Sequence, residues 1–269
     1  MNATTEMLVD AAGHILSDLC TVECQHAAEH GTWPQPLWSA LHDCGIAAAA
    51  WPESLDGSGL DMGDAVAQLQ VAGYHAAPVP LAEHWLAGQA LAAANLAPGA
   101  GVLGLALPTA GAATVSRVPW ARRLEVVAIT ESPEETRLRV YPRPRVAAQA
   151  TSLAGEPCDT LDLAGSGTSA DRLLANAAPG WRARAALLRR AQMAGAMRRC
   201  LEFTLTYASE RKQFGRPLAA FQAIQQELAL LAAEVCAVEM AVESAAHAAR
   251  GGEGLYEIAV AKARAGMAV

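Results

Sequence analysis

The chain has 269 residues, 52% hydrophobic and 17% charged, with a net charge of −7. That balance excludes a disordered protein, which needs low hydrophobicity and high charge, and leaves no basic footprint for nucleic acid, so no nucleic-acid partner is expected. Any anionic ligand must be held by a local arginine against the overall field. Aromatic residues reach only 5%, and alanine dominates the apolar set, which favours close-packed helices over strands.

No run reaches the ~20 uninterrupted apolar residues of a membrane span, so no span is expected. The first twenty residues carry acids where a signal peptide has a basic lead, which points to a cytoplasmic protein. Six cysteines are too sparse for a disulfide scaffold. Cys20 and Cys24 are expected i,i+4 on one helix, and Cys44, Cys158, Cys200 and Cys236 are scattered. Reduced, partly buried thiols and no metal site are the expectation.

Residues 1–98 read as an N-terminal helical domain. Thr32–Ile46 opens with prolines and runs into a short amphipathic helix that Gly45 can end. A turn-rich loop with Gly57 and Gly59 follows, and Asp61 is a suitable N-cap for the next helix. A further turn starts another helix near Leu81. Residues 101–165 change texture. Short apolar runs (VLGLALP, LEVVAIT) and the alternating TRLRVY, separated by Pro, Ser and Gly, predict a small antiparallel β unit of five to seven strands. Asp159, Asp162 and Asp171 near its exit read as turn residues or caps.

Residues 180–269 return to helix. Leu187, Ala191, Ala194, Met197, Leu201, Leu205 and Ala208 follow i,i+3/i+4 spacing. A second stripe runs Ile224, Leu228, Leu231, Val235, Val238, Val242, Ala245 and Ala249, ended by Arg250-Gly251-Gly252. A third helix starts near Leu255 and is still in progress at Val269, which reads as an incomplete bundle. The fold class expected is therefore mainly α with a small β insert.

The segment joining the two stripes, Tyr207–Gln225, holds three cations (Arg211, Lys212, Arg216), a glycine–proline turn, and glutamines in the next helix's first turns. Cations suit a helix C-terminus, and the free N–H groups of the following helix can help hold a phosphate. On spacing alone, an ordinary charged helix–helix corner is the first reading. His14, His26 and His30 lie in the N-terminal helical zone with no carboxylate pair to make them a metal set, and the isolated His75, His84 and His247 read as surface or satisfied core residues. No GxSxG elbow, P-loop or GxGxxG followed by helix is present.

The corner spells YxxxRxxFGxPLxxFQxxQ and resembles the C-terminal helical domain of acyl-CoA dehydrogenases, flavoproteins that oxidise the Cα–Cβ bond of acyl-CoA thioesters. Leu37–Leu69 resembles the family's N-terminal helical domain, with its Pro-Glu and Gly-x-Gly-Leu turn, and the β zone sits where the family inserts a small β-barrel. The resemblance implies a barrel-like middle domain between an N-terminal helical domain and a C-terminal antiparallel bundle. It implies FAD as cofactor, acyl-CoA as substrate, an oligomer with itself or another acyl-CoA dehydrogenase chain, and an electron-transferring flavoprotein as acceptor. In the family the arginine of this motif reaches the FAD diphosphate across the dimer interface. This points to Arg211, with Gln213 and Phe214 beside it, and to Leu218, Phe221 and Gln222 near the nucleotide; Lys212 and Arg216 read as solvated charges.

Three departures limit what the resemblance implies. The family's catalytic glutamate lies either past the last residue of this chain or near the start of the first long helix, where Trp181–Arg190 contains no acid; no base can be named. The family's Thr-Glu-Pro…Gly-Ser-Asp loop is not evident, and Thr130 and Glu131 read as strand-end residues. The glycine-rich segment that completes the cross-subunit FAD contact would lie beyond Val269. Three readings follow: a subunit of a heteromeric dehydrogenase that lends an arginine to its partner's FAD, a non-catalytic scaffold, or a dehydrogenase whose base lies on a continuation of the chain.

Overall fold

A computed structural model of the chain describes residues 3–175 and 180–268. The N-terminal helices are α1 (Ala3–Leu19), α2 (Val22–Glu29), α3 (Gln35–Asp43), α4 (Met62–Tyr74) and α5 (Leu81–Ala93). Their limits follow local chemistry. Asp61 accepts a hydrogen bond from the Asp64 N–H at 2.9 Å and so caps α4, and Thr21 does the same for α2 through Cys24. Gly45, at φ +74°, lets the chain leave α3. Thr21 also breaks the helix expected to carry both early cysteines: Cys20 follows α1 and Cys24 lies in α2. The buried Cys20 thiol donates to the His75 carbonyl at 3.1 Å.

The middle segment forms β1 (Leu103–Ala106), β2 (Thr114–Pro119), β3 (Glu125–Glu131), β4 (Thr136–Tyr141), β5 (Arg145–Ala148), β6 (Cys158–Asp162) and β7 (Ala170–Leu174). They make two sheets, ordered β1-β3-β4-β7 and β2-β6-β5. Two corrections to the sequence reading follow. The sheets are not closed into a barrel, and β1 pairs with β3 in parallel, while the other pairs of these two sheets are antiparallel. The parallel pair arises because the chain leaves β1, builds β2 in the other sheet, and returns to β3 in the same direction.

Two aspartates expected in turns are strand residues with partners. Asp159, fully buried in β6, receives the Arg122 guanidinium at 2.6 and 2.9 Å. Asp171 in β7 accepts from Arg137 at 2.9 Å and Arg139 at 3.1 Å on β4. Asp162 ends β6 and accepts from the Gly165 N–H at 2.8 Å, a turn role as expected.

The C-terminal part comprises α6 (Trp181–Glu210), a two-residue hairpin β8 (Lys212–Gln213) and β9 (Arg216–Pro217), α7 (Gln222–Arg250) and α8 (Leu255–Ala268). Among the described residues no helix is long and apolar enough to cross a membrane. One hydrophobic core runs from Ala12 and Leu16 through Trp85 and Leu103 to Leu187, Val242 and Ala261, so both helical parts share it. A smaller cluster around Val118, Val126, Tyr141 and Leu161 lies between the sheets. Helices α4 and α6 approach each other closely at two glycines. A Cβ on Gly195 would stand 1.8 Å from the Gln70 carbonyl oxygen, and one on Gly73 1.9 Å from that of Gln192. Only glycine permits this approach.

Candidate functional site

The α6–α7 hairpin is buried at one end and bare at the other. On α6, Leu187, Ala191, Ala194 and Leu201 are buried, but Glu202–Tyr207 are all exposed. On α7 the first buried residue is Val235, thirteen positions after the helix starts. Leu205, expected in the buried stripe, is 42% exposed, beyond the point where α4 covers the helix. Phe203, Tyr207 and Leu230 are exposed too. Large apolar side chains are thus left uncovered in the half of the hairpin nearest the α6–α7 turn.

At the tip the backbone turns within two residues. Lys212 pairs with Pro217 and Gln213 with Arg216, so Phe214 (φ +51°) and Gly215 (φ +79°) form the two-residue loop. Both central positions take positive φ, as a type I′ hairpin requires. Glycine adopts this freely, whereas a phenylalanine there costs about 1–2 kcal/mol. Phe214 is nonetheless 92% exposed, so no burial in this chain offsets the strain. Its ring meets Phe221 edge-on at 6.2 Å, and Arg216 lies 4.0 Å over the Phe221 ring. Arg216 is thus stacked as well as solvated.

Arg211 is the C-cap of α6, and its carbonyl accepts from the Leu218 N–H at 2.9 Å. Arg211, Gln213, Phe214 and Gln222 are exposed, and Leu218 and Phe221 half-buried. The six residues chosen from sequence therefore lie on one short corner. Among the described residues no carboxylate pairs with Arg211, Lys212 or Arg216; ion pairs of the two long helices, such as Arg198–Glu239 and Arg199–Glu202, lie elsewhere.

The two long helices start differently. Glu131, at the end of β3 as expected, accepts from the N–H groups of Trp181 at 2.8 Å and Arg182 at 2.9 Å, so an internal carboxylate closes the N-terminus of α6. This capping role was hidden from sequence because the two residues stand 50 positions apart. At α7 the N-cap is Phe221, which offers no side-chain cap. Its first N–H groups open beside two unpaired arginines. A diphosphate requires N–H donors, positive potential and access, and the corner supplies all three. The donor set therefore fits the nucleotide end of FAD.

A second feature lies inside the body. A cavity of about 420 Å³ sits between α2, the end of α4 and α6, with apolar walls such as Ala72, Pro78 and Met193. Glu156 and Arg189 form its polar end. Arg189 is ion-paired with Glu83 and donates to Gln192 at 2.8 Å. Burial pushes the Glu156 carboxyl above its ordinary pKa, with the nearby Glu83 adding to the shift, and Trp120 donates to it at 2.7 Å. One carboxylate is thus committed to an arginine and the other is biased toward its neutral form. Neither is presented as a free base, and Trp181–Arg190 supplies no other acid. Sequence reasoning missed this cluster because its members come from four separate segments.

His84 is a core residue. It is 3% exposed, its Nδ1 accepts from the Leu103 N–H at 2.9 Å, and burial lowers its pKa to about 3. Among the described residues no group of three His, Cys, Asp or Glu is arranged to hold a metal.

Comparison with known proteins gives a consistent result. Residues 2–95 match the family model described as acyl-CoA dehydrogenase, N-terminal domain, and residues 183–269 the acyl-CoA dehydrogenase, C-terminal domain. The chain is 31% identical over 232 residues to acyl-CoA dehydrogenase IpdE2 of Mycobacterium tuberculosis, covering 84% of this chain and 70% of that one. Among solved structures, a variant of the Tcur3481–Tcur3483 steroid ACAD superposes with TM-score 0.82 at 26% identity, covering 96% of this chain and 81% of that one. The ChsE4–ChsE5 complex of Mycobacterium tuberculosis gives TM-score 0.80 at 25% identity, covering all of this chain and 85% of that one.

Proposed function

The chain belongs to the acyl-CoA dehydrogenase family, and from that premise we propose that it acts as the subunit of a heteromeric, FAD-dependent dehydrogenase that lends its helical corner to a cofactor shared with a second, base-bearing chain. The observation that carries this reading is the uncapped start of α7 beside Arg211, held at the end of an arm with exposed apolar side chains. The two similar structures are those of a steroid ACAD formed by two named components and of a two-chain complex, which supports a heteromeric partner.

FAD, when bound, supplies the two-electron acceptor for oxidation of the acyl-CoA Cα–Cβ bond. Arg211 would bind its diphosphate through paired N–H donors, which match phosphate oxygens better than a lysine would. The free N–H groups at the start of α7, with Gln213 and Gln222 beside them, would add neutral donors. Phe214, Leu218 and Phe221 would cover the nucleotide and exclude water, strengthening each polar contact. Glu83 is held by Arg189 and Glu156 accepts from Trp120, so neither would take the α-proton; in this reading the partner chain would supply the carboxylate that does. Electrons would leave to an electron-transferring flavoprotein, as the family resemblance implies.

The test compares the purified chain alone with the chain assembled on a base-bearing acyl-CoA dehydrogenase. FAD is expected to leave the melting temperature of the lone chain unchanged and to raise that of the assembly. A lone chain that turns yellow, gains stability with FAD and oxidises acyl-CoA would contradict the shared-site reading.

A further inference from the structure

A second cavity, of about 280 Å³, lies where the start of α4, α5, α6 and the end of α7 meet. It is far in sequence from the corner and is not the Glu156 cavity. Its apolar walls are Leu60, Met62, Trp85, Leu86 and Leu188, and three charged side chains line it: Asp61, Arg184 and Arg250. Two of these neutralise each other, since the Arg250 guanidinium meets Asp61 at 2.9 Å and also approaches Asp64 at 3.5 Å.

Arg184 is left over. Its Nη2 donates to Gln89 Oε1 at 2.6 Å. Gln89 is fixed in that orientation because its Nε2 donates to the Ala50 carbonyl at 2.7 Å. The guanidinium also lies 4.7 Å over the Trp181 ring. Among the described residues it has no carboxylate partner, and burial lowers its pKa from the ordinary value. A desolvated cation held by a stack and one amide is costly without an anion. A guanidinium with one edge bound and the rest lining a cavity is arranged to receive a planar two-oxygen group.

We propose that this cavity is a binding site for a small monocarboxylic acid, its carboxylate on Arg184 and its compact apolar body against Leu60, Met62, Trp85 and Leu188. The volume sets the size of the ligand, because drug-sized molecules need roughly 300 Å³ or more. With a net charge of −7 the chain repels anions overall, so such a ligand is admitted by this one arginine. Ligand binding here would tie α4, α5, α6 and α7 together at the base of the hairpin.

The test uses the full chain, with sodium benzoate and sodium butyrate as probes, the neutral amides benzamide and butyramide as isosteres, and sodium chloride at equal ionic strength as control. Either acid is expected to raise the melting temperature saturably at millimolar concentration, and the amides and chloride are not. Arg184→Met should abolish the response and leave the ligand-free melting temperature equal or higher, since it removes an unpaired cation. Met62→Trp fills the cavity without touching Arg184, should weaken binding about tenfold or more, and decides the question if Arg184→Met does not fold. The proposal is overturned by equal responses to acid and amide, by a response that survives both substitutions, or by no saturable response at all.

Discussion

The two long helices begin at opposite kinds of terminus. The start of α6 is closed from within by Glu131, which meets the Trp181 and Arg182 N–H groups, and the body of that helix is locked to α4 through Gly73 and Gly195. The start of α7 has no cap, an exposed arginine on the preceding residue stretch and a strained, solvent-facing phenylalanine. The same helix-end electrostatics serves stability in one place and is left available to an external anion in the other. Substitutions at the closed end should therefore cost stability, and those at the open end should cost cofactor affinity while leaving the fold intact.

The largest expected effect is in the body of α6, where it is locked to α4. Gly195→Ala drives a methyl group into the Gln70 carbonyl, so α4 and α6 must separate, at a cost of about 3 kcal/mol or more. Urea unfolding should show it, and a loss below about 1 kcal/mol would mean that the helices can slide apart cheaply.

Next comes the pH dependence of the shared core. His84 is held neutral, with its pKa lowered to about 3. The unfolded chain protonates near pH 6.5 and the folded one does not, so stability is complete above ~pH 6.5. It falls as the pH drops toward 3, by at most about 1.4 kcal/mol per pH unit from this residue. His84→Gln keeps an acceptor for the Leu103 N–H and should flatten the acid slope; an unchanged slope would contradict the assignment.

A smaller effect is expected at Glu131. Glu131→Ala uncaps α6 and should destabilise the chain by about 1 kcal/mol without changing FAD affinity in an assembled enzyme. If FAD affinity fell instead, the two helix starts would not be functionally separate.

The open corner was legible in the sequence and the closed end was not, for physical reasons. Local signals gave the Asp61 cap, the Gly45 exit, the alternation of β4 and the Tyr207–Gln225 corner, because caps, turns and periodicity are properties of neighbouring residues. Relations between distant segments were not legible. The parallel pairing of β1 with β3 depends on an excursion into the other sheet, and the caps and ion pairs of Glu131, Asp159 and Asp171 join residues far apart in the chain. Leu205 fits the helical stripe by spacing, yet it lies past the end of the core, and periodicity cannot tell a face buried within the chain from one left for a partner. The Glu83–Arg189–Glu156 cluster carries no motif at all.

The central claim is that Arg211, at the open end, holds the FAD diphosphate in an assembled enzyme. The direct measurement is the FAD dissociation constant of the heteromer with Arg211→Ala in this chain, with assembly checked by size-exclusion chromatography. Loss of a charge-assisted contact worth about 1.5–3 kcal/mol should weaken FAD binding roughly 10- to 100-fold while the heteromer stays intact. An unchanged dissociation constant in an intact heteromer would contradict the claim and leave the arm a purely structural role.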